Sequence, residues 1–195
     1  AVDVALTPFP NRDAQRAAVL AALEPTVLSR LCVEARFEGG ANVLVEVENV
    51  AAGHGFPSGA SADRRVWVEL LGYVGGDAVF ESGAVEDDEV LRGRDDPQLW
   101  EFGERWFDAE GSEVHFLWEA TRTESTALPA QTALTSDDPR WTDTHRTRVY
   151  ALPTMPDRVT LRVLVRPFGL DLLDRLVASG DLDASVRAAA PTFEV

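Results

Sequence analysis

The sequence predicts a mainly β chain, folded as an antiparallel two-sheet sandwich of the immunoglobulin-like kind with short N- and C-terminal helices. Three observations carry this. Apolar residues alternate with polar ones in several runs: Val43, Val45 and Val47 share one face of 43–50, and Leu161, Val163 and Val165 alternate with Arg162, Leu164 and Arg166. A period of two is that of a strand with one face buried. Glycine turns, Gly39-Gly40 and Gly75-Gly76-Asp77, separate consecutive runs and read as hairpins. About seven such strands follow one another without a long helical pattern between them, and two packed sheets bury their faces most simply.

The elements follow in order. Residues 1–10 read as an extended arm. Asn11 is placed to cap a helix over Arg12–Leu23, with an apolar stripe at Val19, Leu20 and Leu23 and Pro25 beyond its end. Strands are expected over 31–37, 43–50, 65–73 and 78–82. Residues 83–112 are irregular and acidic, with Trp100, Phe102, Trp106 and Phe107 as apolar anchors. A strand is expected over 113–120, with Val114, Phe116 and Trp118 on one face and His115, Leu117 and Glu119 on the other. A long connection spans 121–145. Strands over 146–152 and 158–167 precede a helix over 170–179, which Gly180 ends, and a tail with one turn near 183–189. The whole reads as one domain over 1–195: arm and helix 1–27, sandwich 28–167, C-terminal helix and tail 168–195. Val45, Val47, Val66, Val68, Val163 and Val165 are the expected core.

Composition excludes several classes of function. The 195 residues are 45% hydrophobic, enough for a full core, and carry a formal net charge of −15. That balance argues against nucleic acid and anionic membranes as partners. All 18 basic residues are arginine. No apolar run is long enough for a membrane-spanning helix, and no basic segment followed by an apolar one opens the chain. Cys32 is the single cysteine and is expected to be buried and unreactive. Without C-x-x-C-H, no c-type haem is covalently attached by the usual route.

The segment Asn49-Val50-Ala51-Ala52-Gly53-His54-Gly55-Phe56-Pro57-Ser58-Gly59 is the strongest candidate for a site. Glycines flank His54, so its imidazole is unshielded, and Phe56-Pro57 stiffens the exit. The histidine then serves as a ligand for a metal or haem iron, as an anchor for a partner, or as a pin that bonds a backbone carbonyl. Arg64 and Arg65 could clamp a carboxylate, or pair locally with Asp63 or Glu81. His54, Phe56, Pro57, Arg64 and Arg65 are the candidate binding residues. A three-histidine metal site from His54, His115 and His145 is the alternative. The acidic runs 86–89 and 94–96 lack calcium-loop spacing. No G-x-S-x-G elbow, Walker loop or Rossmann glycine pattern is present, so no catalytic residue is assigned.

The residues Asn49, Ala52, Gly53, His54, Pro57, Gly59, Arg64, Arg65 and Trp67, followed by Phe80-Glu81-Ser82-Gly83, form a pattern N-x-x-A-G-H-x-x-P-S/T-G with a strand after it. This pattern resembles the C-terminal β-rich domain of bacterial multihaem cytochrome c family proteins. The resemblance continues more weakly through 116–120 and 148–153. It implies an exported, periplasmic or extracellular location and a haem protein or cell-surface partner. It also implies a non-catalytic binding or accessory role in an extracytoplasmic redox system. His54 would be the contact and a partner's haem, or a metal ion, the associated group. The competing expectation is a metal-binding protein or metal-dependent enzyme using His54 with His115 and His145.

Overall fold

The computed structural model describes residues 11–195 except 134 and 142; the expected arm, 1–10, lies outside them. Its elements are α1 (Arg12–Leu23), β1 (Val27–Ala35), β2 (Ala41–Asn49), β3 (Arg65–Val74), β4 (Asp77–Ser82), β5 (Trp100–Phe102), β6 (Glu104–Phe107), β7 (Glu113–Val114), a 3-10 turn (Leu117–Glu119), β8 (Arg122–Ser125), β9 (His145–Leu152), β10 (Arg158–Arg166), α2 (Leu170–Ser179), α3 (Ala184–Ala188) and β11 (Phe193–Glu194).

Two antiparallel sheets form the sandwich. One has the order β1-β2-β9. The other has the order β11-β10-β3-β4, with β5 pairing the first part of β3 before β4 takes over. β3 and β10 run together over nine pairs, from Arg65↔Arg166 to Tyr73↔Arg158. Their inward rows meet those of the first sheet in one core. Val43, Val45, Val47, Tyr150 and Leu152 stand on one side, and Val66, Val68, Leu70, Phe102, Val163 and Val165 on the other. All six expected core valines are there, and Leu20 and Leu23 of α1 pack against the same cluster.

The back of the β3/β10 sheet is also covered. Trp67 is fully buried there with Leu91 and Leu164. The covering segment, 83–99, is fastened at Gly83. That residue has φ +70°, and a Cβ on it would lie 2.1 Å from the Val68 carbonyl oxygen. Its N–H donates to Asp96 Oδ2 at 2.7 Å, and its carbonyl accepts from Trp67 Nε1 at 3.0 Å. Asp96 also accepts from Ser82 Oγ and from the Gln98 N–H. The acidic loop is thus held by hydrogen bonds within the chain.

Four expectations need correction. Asn11 precedes α1, but it sits at φ 63° and its side chain makes no cap. The strand expected over 113–120 ends after two residues, where the chain leaves β6 for the 3-10 turn. Beyond it Phe116 stacks on Trp118 at 4.7 Å, and Leu117 and Trp118 face solvent. A third small sheet, β7-β6-β8, was not foreseen, nor was the pairing of the tail as β11 with β10. Finally, Cys32 is exposed. The period of β1 was right but the apolar neighbours are on the solvent side: Cys32 pairs with Leu44 and Leu44 with Val149, a row on the outer face of the first sheet.

Two tests follow from this burial pattern. Leu70, fully buried, should cost about 2–5 kcal/mol on truncation to alanine. Leu44, 43% exposed, should cost under about 1 kcal/mol on the same change, read from urea midpoints. A thiol reagent should label Cys32 in native buffer; protection that persists until the protein unfolds would contradict the placement.

Candidate functional site

The loop 50–64 leaves the core at the end of β2 and returns to it at β3, and it is fixed at both ends. At the first end stands Asn49, buried at the last position of β2. Its amide donates to the His54 carbonyl at 2.7 Å and to the Pro129 carbonyl at 3.1 Å, while its Oδ1 accepts from the Ala52 N–H at 3.1 Å. Three of its four hydrogen-bonding positions therefore hold loop backbone. Phe56 and Leu128 exchange two backbone hydrogen bonds, 2.9 and 2.8 Å, and both side chains enter the core.

His54 is carried on this frame at the surface. Its Nδ1 lies 3.0 Å from the Gly55 carbonyl oxygen and its Nε2 3.4 Å from Ser58 Oγ. A carbonyl can only accept, so Nδ1 carries the proton of this contact, and a lone pair on Nε2 would meet only the Ser58 hydroxyl. That is the tautomer in which a histidine ligates metal, with the other nitrogen held by a carbonyl. The Ser58 contact is long and gives weak competition for the lone pair.

The other expected site residues are distributed differently. Phe56 and Pro57 are buried. Arg64 is half-buried against Gly59, and among the described residues its guanidinium makes no hydrogen bond or ion pair. Arg65 is buried and turned inward: Nη2 donates to Asp171 Oδ2 at 2.7 Å, and Nη1 to the carbonyls of Ala62 (2.7 Å) and Arg64 (3.0 Å). Its partner is on α2, not the nearby Asp63 or Glu81. His115 Nε2 lies 3.7 Å from the same Asp171 oxygen, and His145 pairs with Asp143. The three histidines thus have three separate settings. Among the described residues no group of three or more His, Cys, Asp or Glu side chains converges on a metal position.

The second end of the loop is a polar cluster that sequence reasoning missed. Asp63, Arg65, His115 and Asp171 meet where the loop, α2 and the segment after β7 come together. The Gly169 N–H donates to the Asp63 carbonyl at 2.7 Å, and a Cβ on Gly169 would lie 2.3 Å from Asp171 Oδ1 and 2.7 Å from Arg65 Cζ. Asp63 Oδ1, Arg65 Nε and Asp171 Oδ1 are buried without protein partners. Burial raises the Asp63 pKa above its ordinary value against the pull of Arg65. Burial also lowers the His115 pKa, more strongly than Asp171 raises it. The Asp171 pKa remains below its ordinary value: burial opposes ionisation, but Arg65 outweighs it through charge and hydrogen bond. The one sequence signal was an acid in the first turn of a helix, which says nothing of a partner 106 residues away.

Asp171→Ala would strand a buried guanidinium and should cost about 3–5 kcal/mol in denaturant unfolding. His115 adds a pH dependence. With its folded pKa below 6.5, the unfolded chain binds the proton more readily, so its contribution should favour folding above about pH 6.5 and be lost as the pH falls below it. Asp63, raised from 3.8, acts in the opposite sense, since its penalty on folding recedes with acid. The difference between wild type and His115→Gln isolates the histidine: the variant should lose less stability than the wild type as the pH drops from 7 through 6.5 and below. Parallel curves would refute the assignment.

No protein-family model and no curated protein matches the sequence. Among solved structures, a penta-haem cytochrome c552 from Thermochromatium tepidum is similar, with a TM-score of 0.58 and 19% identity. The match covers 89% of this chain and 39% of the cytochrome chain. At that identity the likeness is one of fold: this chain is built like a portion of a multihaem cytochrome.

Proposed function

We propose that the chain is a non-catalytic binding or accessory domain of an extracytoplasmic, multihaem cytochrome-associated redox system, and that the His54 loop is its contact. The observation that carries this reading is the His54 ring: exposed, with Nδ1 committed to the Gly55 carbonyl and Nε2 met only by the Ser58 hydroxyl at 3.4 Å, on a loop fastened at both ends. The fold shared with part of a penta-haem cytochrome supports the redox setting. A single imidazole held through Nδ1 suits the role of one ligand to the iron of a partner's haem, which would supply the redox chemistry. Arg64, on the same loop and without an ion pair among the described residues, is the cation that would pair with an acidic group of the partner.

His54→Ala should change stability by under about 0.5 kcal/mol, because the side chain is exposed and bonds only its own loop. It should also weaken capture of a multihaem cytochrome, read by mixing with such a cytochrome and following the haem absorbance on binding. A large fall in melting temperature together with unchanged capture would make His54 a loop staple and retire the proposal. Metal analysis of the purified protein provides a second check: stoichiometric bound metal, lost in His54→Ala, would move the role to metal binding.

A further inference from the structure

We infer that a second, unrelated site lies at the outer edge of β5 and binds a small organic anion, a carboxylate on a planar apolar body. A cavity of about 300 Å³ opens there between β5, the segment after β8, and β9. This is at the lower end of the range for small-molecule pockets, about 300–1,000 Å³, and fits a ligand of one ring. The inference does not rest on the role of His54.

The edge itself is already occupied. The Thr126 N–H donates to the Gly103 carbonyl at 2.8 Å and the Thr126 hydroxyl to the Glu101 carbonyl at 3.0 Å, while Arg148 Nη1 donates to the Leu99 carbonyl at 3.0 Å. Three carbonyls in alternation are thereby taken, so the cavity is closed to an added β-strand, which would need them. What remains is the charge and the aromatic wall.

Arg148 is the unusual residue. It stands on the inward row of β9, in line with the buried Tyr150 and Leu152, and its guanidinium lies 5.4 Å from the Tyr150 ring centroid. Of its three nitrogens only Nη1 has a hydrogen-bond partner, and no carboxylate pairs with it among the described residues. Arg64 is also half-buried without an acid but does not line this cavity, whereas the more enclosed arginines are engaged. Arg65 has Asp171, Arg92 has Glu101 and Glu113, and Arg166 uses all three nitrogens on Thr192 and the carbonyls of Glu89 and Glu86. The acids on the cavity wall are engaged too: Glu101 by Arg92 and Arg105, Glu124 by Arg122. In a chain with 33 acidic residues against 18 basic ones, a half-buried arginine without an acid faces a cavity whose own acids are neutralised. A carboxylate would complete its fork through a charge-assisted hydrogen bond. Trp100, partly buried and backed by the core ring of Phe102 at 4.9 Å and 53°, supplies the apolar wall for the body of the ligand.

The test titrates the intact chain with benzoate, following amide shifts by NMR, with benzyl alcohol as the neutral isostere and acetate as the ring-free one. Benzoate should saturate below about 10 mM, with shifts confined to 99–103, 126 and 148. Benzyl alcohol and acetate should each bind at least about tenfold more weakly. Arg148→Gln should lose at least about tenfold in benzoate affinity with its melting temperature nearly unchanged, and Arg148→Lys should recover part of it. No saturation, equal binding of benzyl alcohol, shifts that map to another surface, or an affinity indifferent to Arg148→Gln would each overturn the assignment. If Arg148→Gln fails to fold, Trp100→Leu, which removes the ring and keeps the charge, decides with the isostere comparison on wild type.

Discussion

The structure depends on how two arginines are buried behind the β3/β10 pair. Arg65 and Arg166 face each other in register and both are removed from solvent. A guanidinium does not shed its proton in a protein, so a buried one must find acceptors or forfeit several kcal/mol. Three segments that cover the back of this sheet supply them. The first turn of α2 brings Asp171 to Arg65. The segment 83–99 brings the carbonyls of Glu86 and Glu89 to Arg166, and the C-terminal segment brings Thr192. Trp67 fills the space between, its ring 5.3 Å from the Arg166 guanidinium. Arg162, farther along β10 and more exposed, holds Glu69 across the strands at 2.7 Å through both its Nε and Nη2. The second layer of the fold is thus positioned by hydrogen-bond geometry as much as by apolar burial.

The same constraint reaches the His54 loop. One end of the loop is tied by Asn49 and by the Phe56–Leu128 bridge to the sandwich core. The other end runs through Asp63 into the Arg65–Asp171 cluster, where Gly169 permits α2 to approach. A loop fixed at both ends can hold an exposed imidazole in one tautomer and one direction, which is how loops on rigid scaffolds carry function. The three orphan atoms in that cluster, one donor and two acceptors, match the capacity of a single buried water. Its titratable members, His115 and Asp63, have pKa values moved by burial in opposite senses, down for His115 and up for Asp63.

Much of this was legible in the sequence because it depends on local periodicity. The bounds of α1 and α2, the Gly39-Gly40 hairpin, the inward valines of β2, β3 and β10, and the exposed His54 between its glycines all follow from period, turn chemistry and chain order. Tertiary structure decided whatever depended on which face met which. Cys32 has the alternation of a core residue, but its row, with Leu44 and Val149, lies on the outer face of the first sheet and faces water. Arg65 reads like a surface clamp beside Arg64, yet the charged row of β3 is buried because α2 and 83–99 fold over it. The strand expected after residue 114 gives way to the 3-10 turn at Leu117–Glu119, although β6 runs on beside it, so alternation alone did not sustain it. Asp171, 106 residues from Arg65, and Arg148, an arginine on a core-facing row, have no local signature at all. A sequence determines which residues share a face of an element; only packing determines whether that face meets solvent, a core or a buried charge.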